Sequence, residues 1–327
     1  MVTFFRDKSI VAIILLGILC LLVHLHFFVS TPLIVVSDDD GVLAFLLQKY
    51  ASNFSGTFIF LIYMFFVLVQ SIRLNMVLNE FKMFQQTGFT TAMSYVLLTA
   101  FIPQWCSLTP ALIANSLVVL IFIQLSKLYN HPAPKTLLFS TGLIVGLTIL
   151  SYHPTALLIL VVLFALAVVR PFRLTEWFVL LIGIITPYYF LLAVLFLTDQ
   201  TNILYHFIPE IQFNLPIQQP DVWFWINISA MLFLLLVGFY FWIPASNRMV
   251  IQRRKNWSVM LVMLIILLAV PFVFKKAGIE SGILFTVPLV AFISNAFLNP
   301  KRMWIPNLLF WIAMVIVIHN NWLLSKF

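Results

Sequence analysis

Charge is what this sequence has least of. Lysine and arginine number 18 and aspartate and glutamate 10 in 327 residues, 9% of the chain, where soluble domains carry about a quarter. So few charges cannot cover a water-facing surface, which excludes an ordinary soluble fold. Cysteine is nearly missing too: Cys20 sits inside an apolar run and Cys106 at a helix end, a poor basis for a disulfide framework. No Gly-x-x-x-x-Gly-Lys loop, Gly-x-Ser-x-Gly elbow, His-Glu-x-x-His or Cys-x-x-Cys occurs, so the nucleotide, serine-hydrolase and zinc chemistries tied to those patterns lose their sequence signal. With no low-complexity tail, long linker or internal repeat, the chain reads as one membrane domain over 1–327. The missing repeat also weakens an inverted-repeat transporter architecture.

What is there is apolar: 63% hydrophobic residues and a mean hydropathy of +1.10. Apolar runs of about 17–25 residues can cross a bilayer as helices, the form that pairs every backbone group internally. Long unbroken runs argue against a β-barrel. The sequence predicts an all-α, polytopic bundle with about eleven spans near 9–30, 56–74, 87–104, 110–128, 136–151, 154–170, 176–197, 222–243, 257–274, 281–298 and 303–322. The fifth and sixth are short and parted only by Ser151, Tyr152, His153 and Pro154, so a tilted or re-entrant pair of half-helices is open there. The first run follows MVTFFRDK and lacks a small-residue cleavage site; a retained helix is expected, not a signal peptide.

Basic residues set the orientation. With the N-terminus cytoplasmic and the C-terminus outside, fourteen fall inside: Arg6, Lys8, Arg73, Lys82, Lys127, Lys135, Arg170, Arg173, Arg248, Arg253, Arg254, Lys255, Lys301 and Arg302. Four fall outside: Lys49, Lys275, Lys276 and Lys326. The net charge of +8 is therefore a topogenic bias, with no clustered basic surface for nucleic acid. Seven of ten acids and five of six histidines lie on the outer side, so polar chemistry is expected there. The arrangement fits a bacterial inner, cytoplasmic membrane.

Four features can carry that chemistry. Ser37-Asp38-Asp39-Asp40-Gly41 follows the first span. Three adjacent carboxylates repel, which favours a shared proton or a cation; the run reads either as a catalytic base or divalent-cation site, or as the solvated N-cap of the amphipathic stretch after it. Beyond such a cation no cofactor is expected. Lys275 and Lys276, ahead of Gly278 and Glu280, run against the charge bias and suit a lipid phosphate, or simple snorkelling to headgroups. The 198–221 loop, with Pro209, Pro216 and Pro220 among its aromatics, reads as a lid or an interfacial loop. His153, in a tight outer turn, is a proton carrier, a headgroup ligand or a solvated loop histidine. Arg170 to Trp177 reads as a structural turn opening a helix. The spans almost lack ionisable residues at mid-depth, where ion and proton paths sit.

The order of parts resembles the GT-C superfamily of membrane glycosyltransferases that use polyprenyl-phosphate sugars. The resemblance covers residues 1–200: the acidic run after helix one, the turn Cys106-Ser107-Leu108-Thr109-Pro110, and the glycine-containing helix from Phe139 to Leu147. The first outer loop is short and a large C-terminal periplasmic domain is missing. The segment from Arg170 to Tyr189 is similar to an uncharacterised family of bacterial polytopic inner-membrane proteins. The first resemblance implies direct displacement at an anomeric carbon. One of Asp38, Asp39 or Asp40 then deprotonates the acceptor, and Lys275, Lys276 or His153 balances the departing lipid phosphate. Membrane lipids, a polyprenyl-phosphate sugar and other membrane proteins are the expected partners. The rival readings are a non-catalytic subunit or scaffold of an envelope complex, suited by 34 Phe and 9 Trp, and a lipid or small-molecule transporter.

Overall fold

A computed structural model describes residues 1–37, 41–51, 54–199, 208–213, 221–274 and 277–322. Over these the chain is helical: α1 (Val2–Arg6), α2 (Ile10–Val23), α3 (Val42–Ala51), α4 (Gly56–Glu80), α5 (Thr90–Thr99), α6 (Pro110–Lys127) and α7 (Pro134–Ser151). There follow α8 (Leu158–Val169), α9 (Leu174–Leu197), α10 (Val222–Ser246), α11 (Ile251–Leu268), α12 (Val270–Val273), α13 (Thr286–Leu298) and α14 (Trp304–Trp322). Among the described residues there are no strands beyond two isolated bridges. Eight helical stretches are long and apolar enough to cross a membrane: Gly56–Glu80, Pro110–Lys127, Pro134–Ser151, Leu174–Leu197, Val222–Ser246, Ile251–Val273, Ile279–Leu298 and Trp304–Trp322. Ile10–Val23 and His153–Val169 are shorter apolar helices.

Two expectations change. The expected span 87–104 holds only the ten residues of α5, about 15 Å of helix, half of a hydrocarbon core. Every residue of α5 is buried, so its short body and the irregular turn after it are screened by protein, which is where such backbone is tolerated at membrane depth. The expected spans 136–151 and 154–170 are two separate helices, an unbroken 18-residue α7 and the shorter apolar stretch His153–Val169, parted by one extended residue, Tyr152. The first helix also stops at Val23, giving way to a 3-10 turn over Leu25–Phe28.

Glycine and buried amides do the packing. A Cβ on Gly142 or Gly146 would collide with the carbonyls of Leu180 and Ile184, and one on Gly183 with Phe139. These four-residue spacings let α7 and α9 approach backbone to backbone, the small-residue contact of membrane helices. Gly238 of α10 meets the Phe292 carbonyl of α13 in the same way. All of α13 is buried, and a polar chain surrounds its start. The Tyr95 hydroxyl donates to Gln70 Oε1 at 2.6 Å and accepts from Asn115 Nδ2 at 2.9 Å. Asn115 Nδ2 also donates to the Ile283 carbonyl at 3.2 Å. In an apolar interior such amides fix register, because an unmatched partner would be left unsatisfied.

The bundle has two chemically distinct ends. At the first, the Arg6 guanidinium donates to the carbonyls of Phe297 (2.7 Å) and Pro300 (3.0 Å), closing the C-terminal end of α13. The Phe89 amide donates to Phe5 (2.6 Å), Trp257 Nε1 to Met83 (3.2 Å) and Lys255 Nζ to Val169 (3.0 Å). Arg170 pairs with buried Glu176 at 2.9 Å, in keeping with a structural turn. The second end gathers the segments after α2, α5 and α7, those before α6 and α13, and the end of α14.

Candidate functional site

At the second end, residues 33–35 run beside the turn after α5. Val35 N donates to the Leu108 carbonyl at 3.3 Å, and Leu108 N to that of Leu33 at 2.9 Å. The Trp105 indole donates to Ile279 at 2.9 Å, binding this turn to the 3-10 stretch Ile279–Phe285 ahead of α13. Behind these segments His24 Nδ1 donates to the Cys20 carbonyl at 2.9 Å, while its Nε2 lies 3.2 Å from the Tyr63 hydroxyl. That hydroxyl is also 3.3 Å from the Trp105 carbonyl. Loop segments are thus fixed by buried hydrogen bonds to helices, as a preorganised site requires.

They enclose a cavity of about 420 Å³, within the roughly 300–1,000 Å³ of small-molecule sites. One wall is His26, Phe27 and Ser30 to Leu33; another is Pro103, Gln104, Cys106 and Ser107; Glu280, Asn320 and Asn321 complete it. A smaller cavity of about 20 Å³ lies against Val35, Ser37, Thr109, Tyr152, Gly278 and Glu280. Val35 and Glu280 line both. Glu280 bends its carboxylate over the α-carbon of Gly278, where a Cβ would collide with it. Cys106 approaches Asn321 Oδ1 at 3.6 Å. Burial pushes its thiol up to about 12, away from the reactive thiolate form.

The expected site residues fare unequally. Asp38, Asp39 and Asp40 lie outside the described residues, but their flanks are fixed. Ser37 lines the smaller cavity. Gly41, at φ +111°, packs against the Leu150 and Ser151 carbonyls, a conformation and closeness that only glycine tolerates. The stretch after the run is the helix α3, with Ala44 and Leu47 buried and Phe45 and Leu46 exposed. His153 is buried, not solvated, in a 3-10 turn directly after Tyr152 of the smaller cavity, so it belongs to the same end. Lys275 and Lys276 lie outside the described residues. On one side of them Phe274 bridges to Ile211, with Gln212 N donating to Val273 at 3.0 Å; on the other, Gly278 reaches the smaller cavity. Most of the 198–221 loop is likewise outside the described residues. Among the described residues, no three His, Cys, Asp or Glu side chains group to hold a metal ion. His26, Gln104 and Asn320 were not singled out as a site, and Glu280 was noted only beside the lysines; the signal that could have found them is the polar residue ending an apolar span, an expensive placement.

A polytopic helical membrane protein with a largely apolar cavity at one end is the class that fold and site define. The chain belongs to the family described as "Family of unknown function (DUF6427)", whose model matches residues 18–324. No curated protein and no solved structure matches it.

Proposed function

We propose that this protein is a membrane glycosyltransferase acting at the outer face on a lipid-linked sugar, crossing the membrane eleven times with its N-terminus cytoplasmic. The eleven crossings are the eight long stretches, the two shorter apolar helices, and α5 with its turn. The cytoplasmic N-terminus rests on the fourteen-to-four distribution of basic residues. It makes the second end the outer one. A bacterial inner membrane fits that orientation.

The observation that carries the reading is the cavity pair sharing Val35 and Glu280, with Ser37, the residue before the aspartate run, on its lining. A lipid-borne substrate meets such a site at the membrane boundary. In the GT-C-like mechanism, one of Asp38, Asp39 or Asp40 takes the acceptor proton as its oxygen attacks the anomeric carbon. Lys275, Lys276 or His153 balances the charge left on the lipid phosphate. A divalent cation on the aspartates is compatible with this scheme. The test replaces Asp38, Asp39 and Asp40 together by Asn: surface glycan or glycolipid modification is lost, and unimpaired modification with normal protein levels refutes the reading.

A second reading, a non-catalytic subunit of an envelope complex, is favoured by the largely exposed apolar faces of α9 and α10. Stable co-purification with other membrane proteins, together with silent aspartate variants, selects it.

A further inference from the structure

Two buried polar atoms on residues lining the larger cavity have no hydrogen-bond partner among the described residues: His26 Nδ1 and Asn320 Oδ1. His26 is 5% exposed and Asn320 is 0%. Leaving such atoms unmatched is costly unless something else supplies the bond. Asn320 Oδ1 only accepts, and so does the Glu280 carboxylate when ionised; the matching ligand must therefore donate. No described lining residue is Lys or Arg, so the cavity itself offers an anion no counter-charge. Much of the remaining lining, including Phe27, Pro32, Leu33, Val35 and Pro103, is apolar. An apolar wall with a few convergent acceptors suits a sugar ring, which has a C–H face and a hydroxyl edge. Phe28, Val29 and Leu33, beside the wall, are at least 70% exposed apolar residues, a rim suited to a lipid chain.

We infer that the larger cavity binds the uncharged, hydroxyl-rich head of an amphiphile, with Asn320 and Glu280 accepting its hydroxyls and His26 completing the contact. This deepens the transferase reading and rests on it for the identity of the carrier lipid; the recognition step is separable from group transfer.

The test uses the full chain in lipid nanodiscs, with saturation-transfer NMR against a panel of butyl glycosides and their parent free sugars. Butyl phosphate and butylamine serve as charged controls. At least one glycoside binds, and each charged control binds at least tenfold more weakly. Glu280→Gln and His26→Phe each weaken that glycoside about tenfold without moving the melting temperature. Dependence on the butyl chain supports the amphiphile; binding of the free sugar equal to that of its butyl glycoside overturns the amphiphile and leaves a soluble sugar. Butyl phosphate binding better than every glycoside, no glycoside binding at all, or glycoside binding unchanged in both folded variants overturns the inference. Glycoside binding alongside unimpaired surface glycans in the aspartate variant leaves it standing and removes only the transferase reading.

Discussion

Asn320 donates to Asn227 Oδ1 at 2.9 Å, and the same amide nitrogen donates to the Phe101 carbonyl at 2.9 Å. One side chain at the end of α14 thereby holds α10 and the turn after α5, and the same residue lines the larger cavity. Hydrogen bonds between membrane helices contribute about 0.6 kcal/mol on average, up to about 1.7. Asn227→Leu is expected to cost about 1 kcal/mol in reversible unfolding in detergent while Asn320 keeps its bond to Phe101. A loss several times larger would mean that α10 depends on this bond for its insertion.

The glycine contacts make a sharper stability test. Gly183→Ala drives a methyl into the Phe139 backbone, which cannot move aside as a side chain tip would. Overpacking of this kind is worth about 1–3 kcal/mol, so a clear fall in melting temperature is expected. Gly17→Ala, where an added Cβ meets nothing within 4 Å, is expected to leave it unchanged or slightly raised. Equal effects at the two positions would contradict the close approach of α7 and α9.

Arg170 and Glu176 form a partly buried ion pair, with side chains 12% and 2% exposed. Removing one partner of such a pair leaves a charge without compensation, typically about 3–5 kcal/mol when fully buried. Glu176→Leu is expected at the low end, because Arg170 keeps some exposure and a 3.4 Å contact with the Leu128 carbonyl. The double variant Arg170→Met with Glu176→Leu is expected to recover most of the loss, read as folded yield and melting temperature.

Cys106 sits on the cavity lining, yet its thiol is held up to about 12 by burial. The thiolate is the reactive form. At neutral pH a maleimide is expected to label neither Cys106 nor the buried Cys20 in the folded protein, and both after unfolding. Rapid labelling of native Cys106 would show that the turn after α5 opens.

The apolar helices were legible because length and hydropathy fix them: α4, α6, α9, α10 and α14 lie close to their expected positions. The shortness of α5 was not. Residues 87–104 are apolar, and composition alone does not separate a segment facing lipid from one enclosed by protein. The burial of His153 was not legible for the converse reason: a turn between spans reads as solvated unless the segments packed over it are known. The site was half legible. The aspartate run pointed, through its flanks Ser37 and Gly41, to the end of the bundle that holds the two cavities. Glu280 was noticed beside the lysines, but its place between two cavities depends on Trp105 holding Ile279, and Asn320 and His26, far apart in the chain, share a cavity lining only through the fold. Such long-range meetings leave no local pattern.

The most direct test of the central claim is mass spectrometry of lipid-linked sugars and surface glycolipids in cells carrying Asp38→Asn, Asp39→Asn and Asp40→Asn at normal protein level. The lipid-linked donor is expected to accumulate, and one sugar to be missing from a surface product. Unchanged donor pools and unchanged surface products, with the variant protein present and folded, would contradict it.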